Sequence, residues 1–393
     1  MLKLLLAMRC HVSIASVQRS GRGRHERYTR MLQYLGVHVI PSFALLKTLR
    51  EPYDFIIVAR RDTYAAAREL LHRRYPNTLL VADTVDLHFQ REKLREAFIE
   101  LHRSEPQLLS DVFGDEAARA RLANSTEHAR LRTLELDYVE ASSVAIVVSQ
   151  AERAALRAEL LADGRDVPPV VVIANAHEPL PPTTTPYQQR HGIVFVGNFN
   201  HLPNRDAVLF FARQVLPRLL RLPRVASDPS FVFHVVGANQ IPPAILALNG
   251  TGRVVVHGYV ESLRPLYSTM RLSVAPLRWG AGVKGKVNTA HQLGVPVVAT
   301  PMAVAGMHAI DGEHVLLGET AEELAAATLR GYYNASVWRR LAAHGPRLVA
   351  NRFSASRAAT GILQVLAHLR DANTLMGMKS LALGSARPRI YSE

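Results

Sequence analysis

Short apolar runs, rich in valine and isoleucine, alternate with longer stretches whose apolar positions recur every three to four residues. That alternation predicts strands buried on both faces and amphipathic helices covering them. Residues 2–8 read as the end of a helix and 11–17 as a strand, because Val12, Ile14 and Val17 suit a buried parallel strand. Helix is predicted over 26–35, 62–74 and 150–161, and strand over 37–40, 55–58, 79–82, 145–149 and 170–173. A charged helical region from 91 to 141 interrupts the series, broken by Pro106 and Gly114.

Four prolines among residues 179–186 exclude helix and central strand, which makes this the clearest linker. After it the alternation restarts. Strands are predicted at 193–196, 231–236, 254–257, 272–275, 297–299 and 314–317. Helices are predicted at 203–221, 242–248, 262–269, 284–293, 321–331, 336–350 and 354–369. The predicted class is therefore α/β, with two doubly wound parallel sheets. The predicted division is a first domain over 1–175, a linker over 176–190, a second domain over 191–350, a C-terminal helix over 351–375 and a loose tail over 376–393.

Composition narrows this picture. The single cysteine, Cys10, excludes an intramolecular disulfide and points weakly to a reducing compartment. No run of 18 apolar residues is present, so a cytoplasmic protein is expected, with peripheral membrane contact and an organelle transit peptide left open. The formal charge is +14, from 47 Lys and Arg against 33 Asp and Glu. It favours an anionic partner, but no basic run with interleaved aromatics supports nucleic acid.

The charge has one pronounced local feature. Between Glu261 and Asp311 there is no acidic residue in 49 positions, while Arg264, Arg271, Arg278, Lys284 and Lys286 all fall there. Within that span a strand ends before Gly280-Ala281-Gly282, and a helix is predicted to start near Lys284. Free N–H groups and the dipole at a helix start favour an anion, whereas two lysines there are unfavourable unless an anion joins them. Gly282-Val283-Lys284-Gly285-Lys286 is thus read as an anion-binding loop; a solvated helix start with two surface lysines is the alternative. Gly197-Asn198, at the end of strand 193–196, and Gly237 form weaker glycine turns of the same kind.

Together these stretches resemble glycosyltransferase family 4, the retaining glycosyltransferases of GT-B fold (glycosyl transferases group 1). The resemblance rests on Ile193-Val194-Phe195-Val196-Gly197 with Pro203-Asn204, His257-Gly258-Tyr259-Val260, Ala275-Pro276-Leu277, the Gly282–Lys286 loop and Leu293-Gly294-Val295-Pro296-Val297-Val298-Ala299-Thr300. Asp83-Thr84-Val85-Asp86-Leu87-His88 and Ile173-Ala174-Asn175 are similar to motifs of the first domain and its exit strand. The resemblance implies two Rossmann-like domains facing a cleft and a nucleotide-sugar donor whose diphosphate lies on the loop. The acceptor would be a glycan, a lipid-linked or a small molecule. Transfer would retain configuration without a metal cofactor, in polysaccharide or glycoconjugate synthesis.

In this reading Lys284 stabilises the leaving diphosphate, and His88 and Asp86 are acceptor-side catalytic candidates. A structural imidazole and a helix-capping carboxylate are the respective alternatives. Gly197, Asn198, Arg205, Arg278, Gly282, Val283, Lys284, Gly285, Lys286 and Asn288 are the binding candidates. Trp279 is read either as a stacking surface for a base or sugar or as packing. His234 and His257 are read as packed or edge residues.

Carboxylates usual in relatives are replaced here by Gly280, Asn288 and Ala305. The resemblance further implies that the first strand of domain one is missing. An inactive nucleotide-sugar-binding or scaffold protein is therefore the competing function. A basic nucleic-acid-associated protein is a third, supported by charge alone.

Overall fold

The computed structural model describes residues 1–17, 24–48, 52–114, 127–178 and 180–383. The chain forms two compact units, one from 1–85, 133–173 and the chain from 358 on, the other from 86–132 and 174–357.

In the first unit, β3 (Phe55–Ala59), β4 (Leu79–Asp83), β5 (Val144–Val147) and β6 (Val170–Val172) pair in parallel in that order. All four residues of β5 are buried, as expected for a strand covered on both faces. β1 (Ser13–Ala15) and β2 (His38–Ile40) make a separate parallel pair. Leu79, Val81, Val144, Ile146 and Val171 form a core with Val365 and Leu369 of the helix Ala355–Leu383. That helix continues through 376–383, where the sequence pattern predicted a loose tail; 384–393 lie outside the described residues.

The second unit carries β7 (His191–Asn198), β8 (Phe233–Ala238), β9 (Val254–Gly258), β10 (Met270–Ala275), β11 (Val297–Ala299) and β12 (Val315–Leu317). All pair in parallel, in the order β12-β11-β10-β7-β8-β9. The chain runs outward from β7 on one side and returns to β10 on the other. The loops after β7 and β10 therefore diverge at the sheet's switch point, where doubly wound sheets bind ligands.

The helix predicted over 203–221 is divided into Leu202–Phe210, a π turn at Phe211–Val215 and Leu216–Leu220. Pro217 explains the break, since it cannot donate to the carbonyl four residues earlier and crowds it. Helix Ala321–Tyr333 opens on a capping box between Thr320 and Glu323. Arg190 has no exposed surface and donates to the carbonyls of Thr185, Tyr267 and Met270 at 2.8, 3.0 and 3.2 Å. The proline-rich segment is likewise tied down, with Thr183 Oγ1 donating to Leu293 O at 2.9 Å.

Chain order placed residues 86–132 in the first domain, whereas they join the second unit. Trp279 explains this, since its ring lies 5.6 Å from Phe98 and 5.9 Å from Phe113. Helices His88–Leu101 and Pro106–Phe113 supply those rings. Residues 115–126 of the charged region lie outside the described residues. Among the described residues no helix is long and apolar enough to cross a membrane.

Candidate functional site

The loop between β10 and the helix Gly285–Gln292 is shaped by two glycines with positive φ, Gly280 at 129° and Gly282 at 75°. L-residues rarely adopt these angles, so the loop's path depends on glycine there. Lys284 is the N-cap residue, and no acidic residue occupies the first turn. The first N–H groups lie outside the helix ladder and carry the positive end of its dipole. Lys284 Nζ folds back on its own loop, donating to Gly282 O at 2.6 Å and Ala281 O at 2.9 Å. Val283 is buried and anchors the loop.

Lys286 turns inward. Its ammonium lies 4.0 Å from the centroid of the Phe195 ring and donates to Asn204 Oδ1. Lys286 as a whole residue is half-buried. Burial, and then the neighbouring charge of Lys284, lower its pKa to about 7. The loop thus gathers a helix start, one lysine bonded to carbonyls of its own loop, and a second whose charge is costly without an anion.

The β7 side meets this loop through Asn204. Its Nδ2 donates to Asn198 O at 2.7 Å. Asn198 Oδ1 accepts from Asn200 N at 2.8 Å and Asn239 Nδ2 at 2.7 Å, closing the turn. A Cβ on Gly197 would stand 2.8 Å from Phe195 Cε1 and 3.0 Å from Asn204 Cγ, so this position needs glycine for space.

Asp86 and His88 reach the same region. A Cβ on Gly282 would lie 3.3 Å from Asp86 Cβ. Asp86 Oδ1 is 3.0 Å from His88 Nε2, and its other oxygen is 2.6 Å from Arg91. Helix His88–Leu101 has Leu87 as its N-cap residue, and Asp86, just before it, meets both the imidazole and the Arg91 guanidinium. Just before it, Val85 has φ of 65°, a strained value for a β-branched residue.

Three other candidates are directed elsewhere. Arg278 pairs with the fully buried Asp206 through both carboxylate oxygens, and its remaining nitrogen lies 3.2 Å from His102 Nε2. Burial raises the Asp206 pKa, and Arg278 opposes that shift. Arg205 donates to Phe199 O at 2.7 Å and Val112 O at 3.3 Å, and burial lowers its pKa. Both guanidinium groups are thus committed to the interior.

Asn288 has no exposed surface; its Nδ2 is 3.2 Å from His177 Nε2, and among the described residues its Oδ1 has no hydrogen-bond partner. Burial lowers the His177 pKa, which favours the neutral imidazole. Trp279 is packing, only 2% exposed. His234 and His257 form a hydrogen-bonded pair at 2.8 Å on β8 and β9.

Sequence reasoning missed Asp206 and His177. Asn204 appeared only within the Pro203-Asn204 stretch. The signals available were weak: a polar residue inside an apolar helix face, and one histidine at the start of the linker.

Comparison with known proteins fits this geometry. Residues 190–334 match the family model described as Glycosyl transferases group 1, so the second unit carries a domain of that type. No curated protein matches.

Among solved structures, the Anabaena HepE protein in complex with UDP-glucose aligns with a TM-score of 0.64 at 13% identity. The alignment covers 93% of this chain and 94% of HepE. Sucrose-phosphate synthase from Thermosynechococcus elongatus aligns at 0.59 and 18%, over 92% and 99%. A S. aureus TarM variant with fondaparinux, alpha-GlcNAc-glycerol and UDP aligns at 0.58 and 13%, over 83% of this chain and 58% of TarM. This chain therefore spans less than two thirds of TarM. At these identities the likeness establishes the fold, which is of GT-B type with two Rossmann-like parallel-sheet units.

Proposed function

We propose that this protein is a glycosyltransferase that takes a sugar from a nucleoside diphosphate sugar, with retention, and passes it to a glycan, lipid-linked or small-molecule acceptor. The observation that carries the reading is the Gly282–Lys286 loop at the switch point of a domain matching glycosyl transferases group 1. As the sugar leaves, negative charge grows on the diphosphate. The helix N–H groups and the two lysines would stabilise that charge most strongly at the transition state. The complexes of HepE with UDP-glucose and of TarM with UDP support uridine nucleotides as first probes. His88, oriented by Asp86, would contribute on the acceptor side.

Two observations favour a second reading, a relative that binds the nucleotide sugar without turnover. Gly280, where the family resemblance implies a carboxylate, holds a φ of 129°, and Asn288 is buried against His177. Calorimetry and product analysis with a panel of nucleotide sugars separate the two. Replacing Lys284 and Lys286 together by Ala is expected to weaken nucleotide binding at least about 100-fold, since each charge-assisted contact is worth about 1.5–3 kcal/mol. Unchanged binding would remove the loop from the site. Binding without turnover in the wild type would select the second reading.

A further inference from the structure

We infer that Asn204 is a positioning residue of this site: its amide clamps the Lys286 ammonium to the turn after β7 and sets where that ammonium meets a phosphate. The inference rests on the diphosphate reading of the loop, but its geometry stands independently. Asn204 is 7% exposed, and both ends of its amide are engaged. Nδ2 faces the Asn198 carbonyl at 2.7 Å, and Oδ1 accepts from Lys286. A carbonyl on one side and an ammonium on the other admit only one amide orientation, since the carbonyl accepts and the ammonium donates.

Asn198 ends β7, whereas Lys286 follows β10. One side chain therefore ties together the two loops that diverge at the switch point. Gly197 leaves room for it, since a Cβ there would stand 3.0 Å from Asn204 Cγ.

The elements packed on Lys286 explain why the clamp matters. β7 contributes the face of Phe195, and helix Leu202–Phe210 contributes the uncharged Asn204. Lys284, in its own loop, contributes a like charge. The Asn204 oxygen is thus an acceptor for the buried cation where no carboxylate is supplied by those contacts. A residue that merely filled space would be replaceable by leucine, which has the same branched shape and number of heavy atoms. A positioning residue would not be.

The chain has six lysines, so 13C-lysine labelling of the full-length protein gives a small set of side-chain signals whose pH midpoints can be followed. Asn204→Leu is expected to lower the Lys286 midpoint by about one pH unit, and Asn204→Asp to raise it by at least as much. Asn204→Ser, too short to span both partners, should behave as the leucine variant does. It also keeps the test open if leucine does not fold.

UDP titrations supply the second readout. Asn204→Leu should weaken UDP binding about 10-fold, with no further loss when Lys286→Gln is added, because coupled residues are not additive. Unmoved lysine midpoints in folded variants, or strictly additive losses, would overturn the clamp. A wild type that fails to bind UDP would overturn the uridine diphosphate reading instead, while the lysine midpoints still decide the clamp.

Discussion

A diphosphate that settles on Lys286 should take up a proton, and the amount can be worked out. In the free protein the amine titrates at about 7, pushed down chiefly by burial and further by Lys284. A bound diphosphate places two negative charges beside it, and an opposite charge at contact distance raises such a pKa by about 1–3 units. With a bound value of roughly 9, affinity should be nearly flat below pH 6.5 and fall towards tenfold per unit between about 7 and 9. From pH 6.5 to 8.5 the loss is about 20-fold, or about 1.8 kcal/mol.

A nucleoside diphosphate sugar is the right probe, because its diphosphate diester stays doubly ionised throughout this range. Calorimetry in buffers of differing ionisation enthalpy reads the proton directly, with uptake near one per site at pH 8. The sign is opposite for stability of the free protein. A lysine whose folded pKa lies below its unfolded value adds stability at high pH, and that contribution is lost as pH falls towards 7. Affinity independent of pH from 6.5 to 8.5, or unchanged pH dependence in Lys286→Gln, would refute the assignment of this lysine to the anion.

Two further outcomes follow from the same geometry. Arg278→Ala leaves the carboxylate of Asp206 buried without its partner, and breaking such a pair costs about 3–5 kcal/mol. Urea unfolding should show that loss, with partial recovery in Arg278→Met combined with Asp206→Leu; a variant of native stability that has lost nucleotide binding would return Arg278 to the ligand. Gly280→Glu supplies the carboxylate that the family resemblance implies here, but imposes a side chain on a φ of 129°. It is expected to lower stability by about 1–3 kcal/mol and to add no transferase activity, as checked by thermal melts and donor turnover; a gain in turnover would show that the loop can relax around a carboxylate.

The apolar period alone located most strands and helices, because a strand buried on both faces and a helix packed on a sheet each impose a pattern on consecutive residues. The β5 run Val144–Val147 and the all-buried β10 run Met270–Ala275 are examples. The shape of the glycine–lysine loop at 280–286 was legible for a similar local reason. Glycines, two lysines and a helix start within a few residues combine into one electrostatic feature without any distant partner.

Contacts between residues far apart in sequence were not legible. Arg278 and Arg205 look like phosphate ligands until Asp206, His102 and the carbonyls of Phe199 and Val112 engage them. Asn288 looks like a hydroxyl ligand until His177 meets it. Residues 86–132 look like part of the first domain until Phe98 and Phe113 pack on Trp279. Short-range periodicity and turn chemistry are written in neighbouring residues, so the sequence determined the α/β elements and the loop. Partner choice for a buried charge or amide depends on which distant group the fold brings within about 3 Å, and that only the tertiary structure decided.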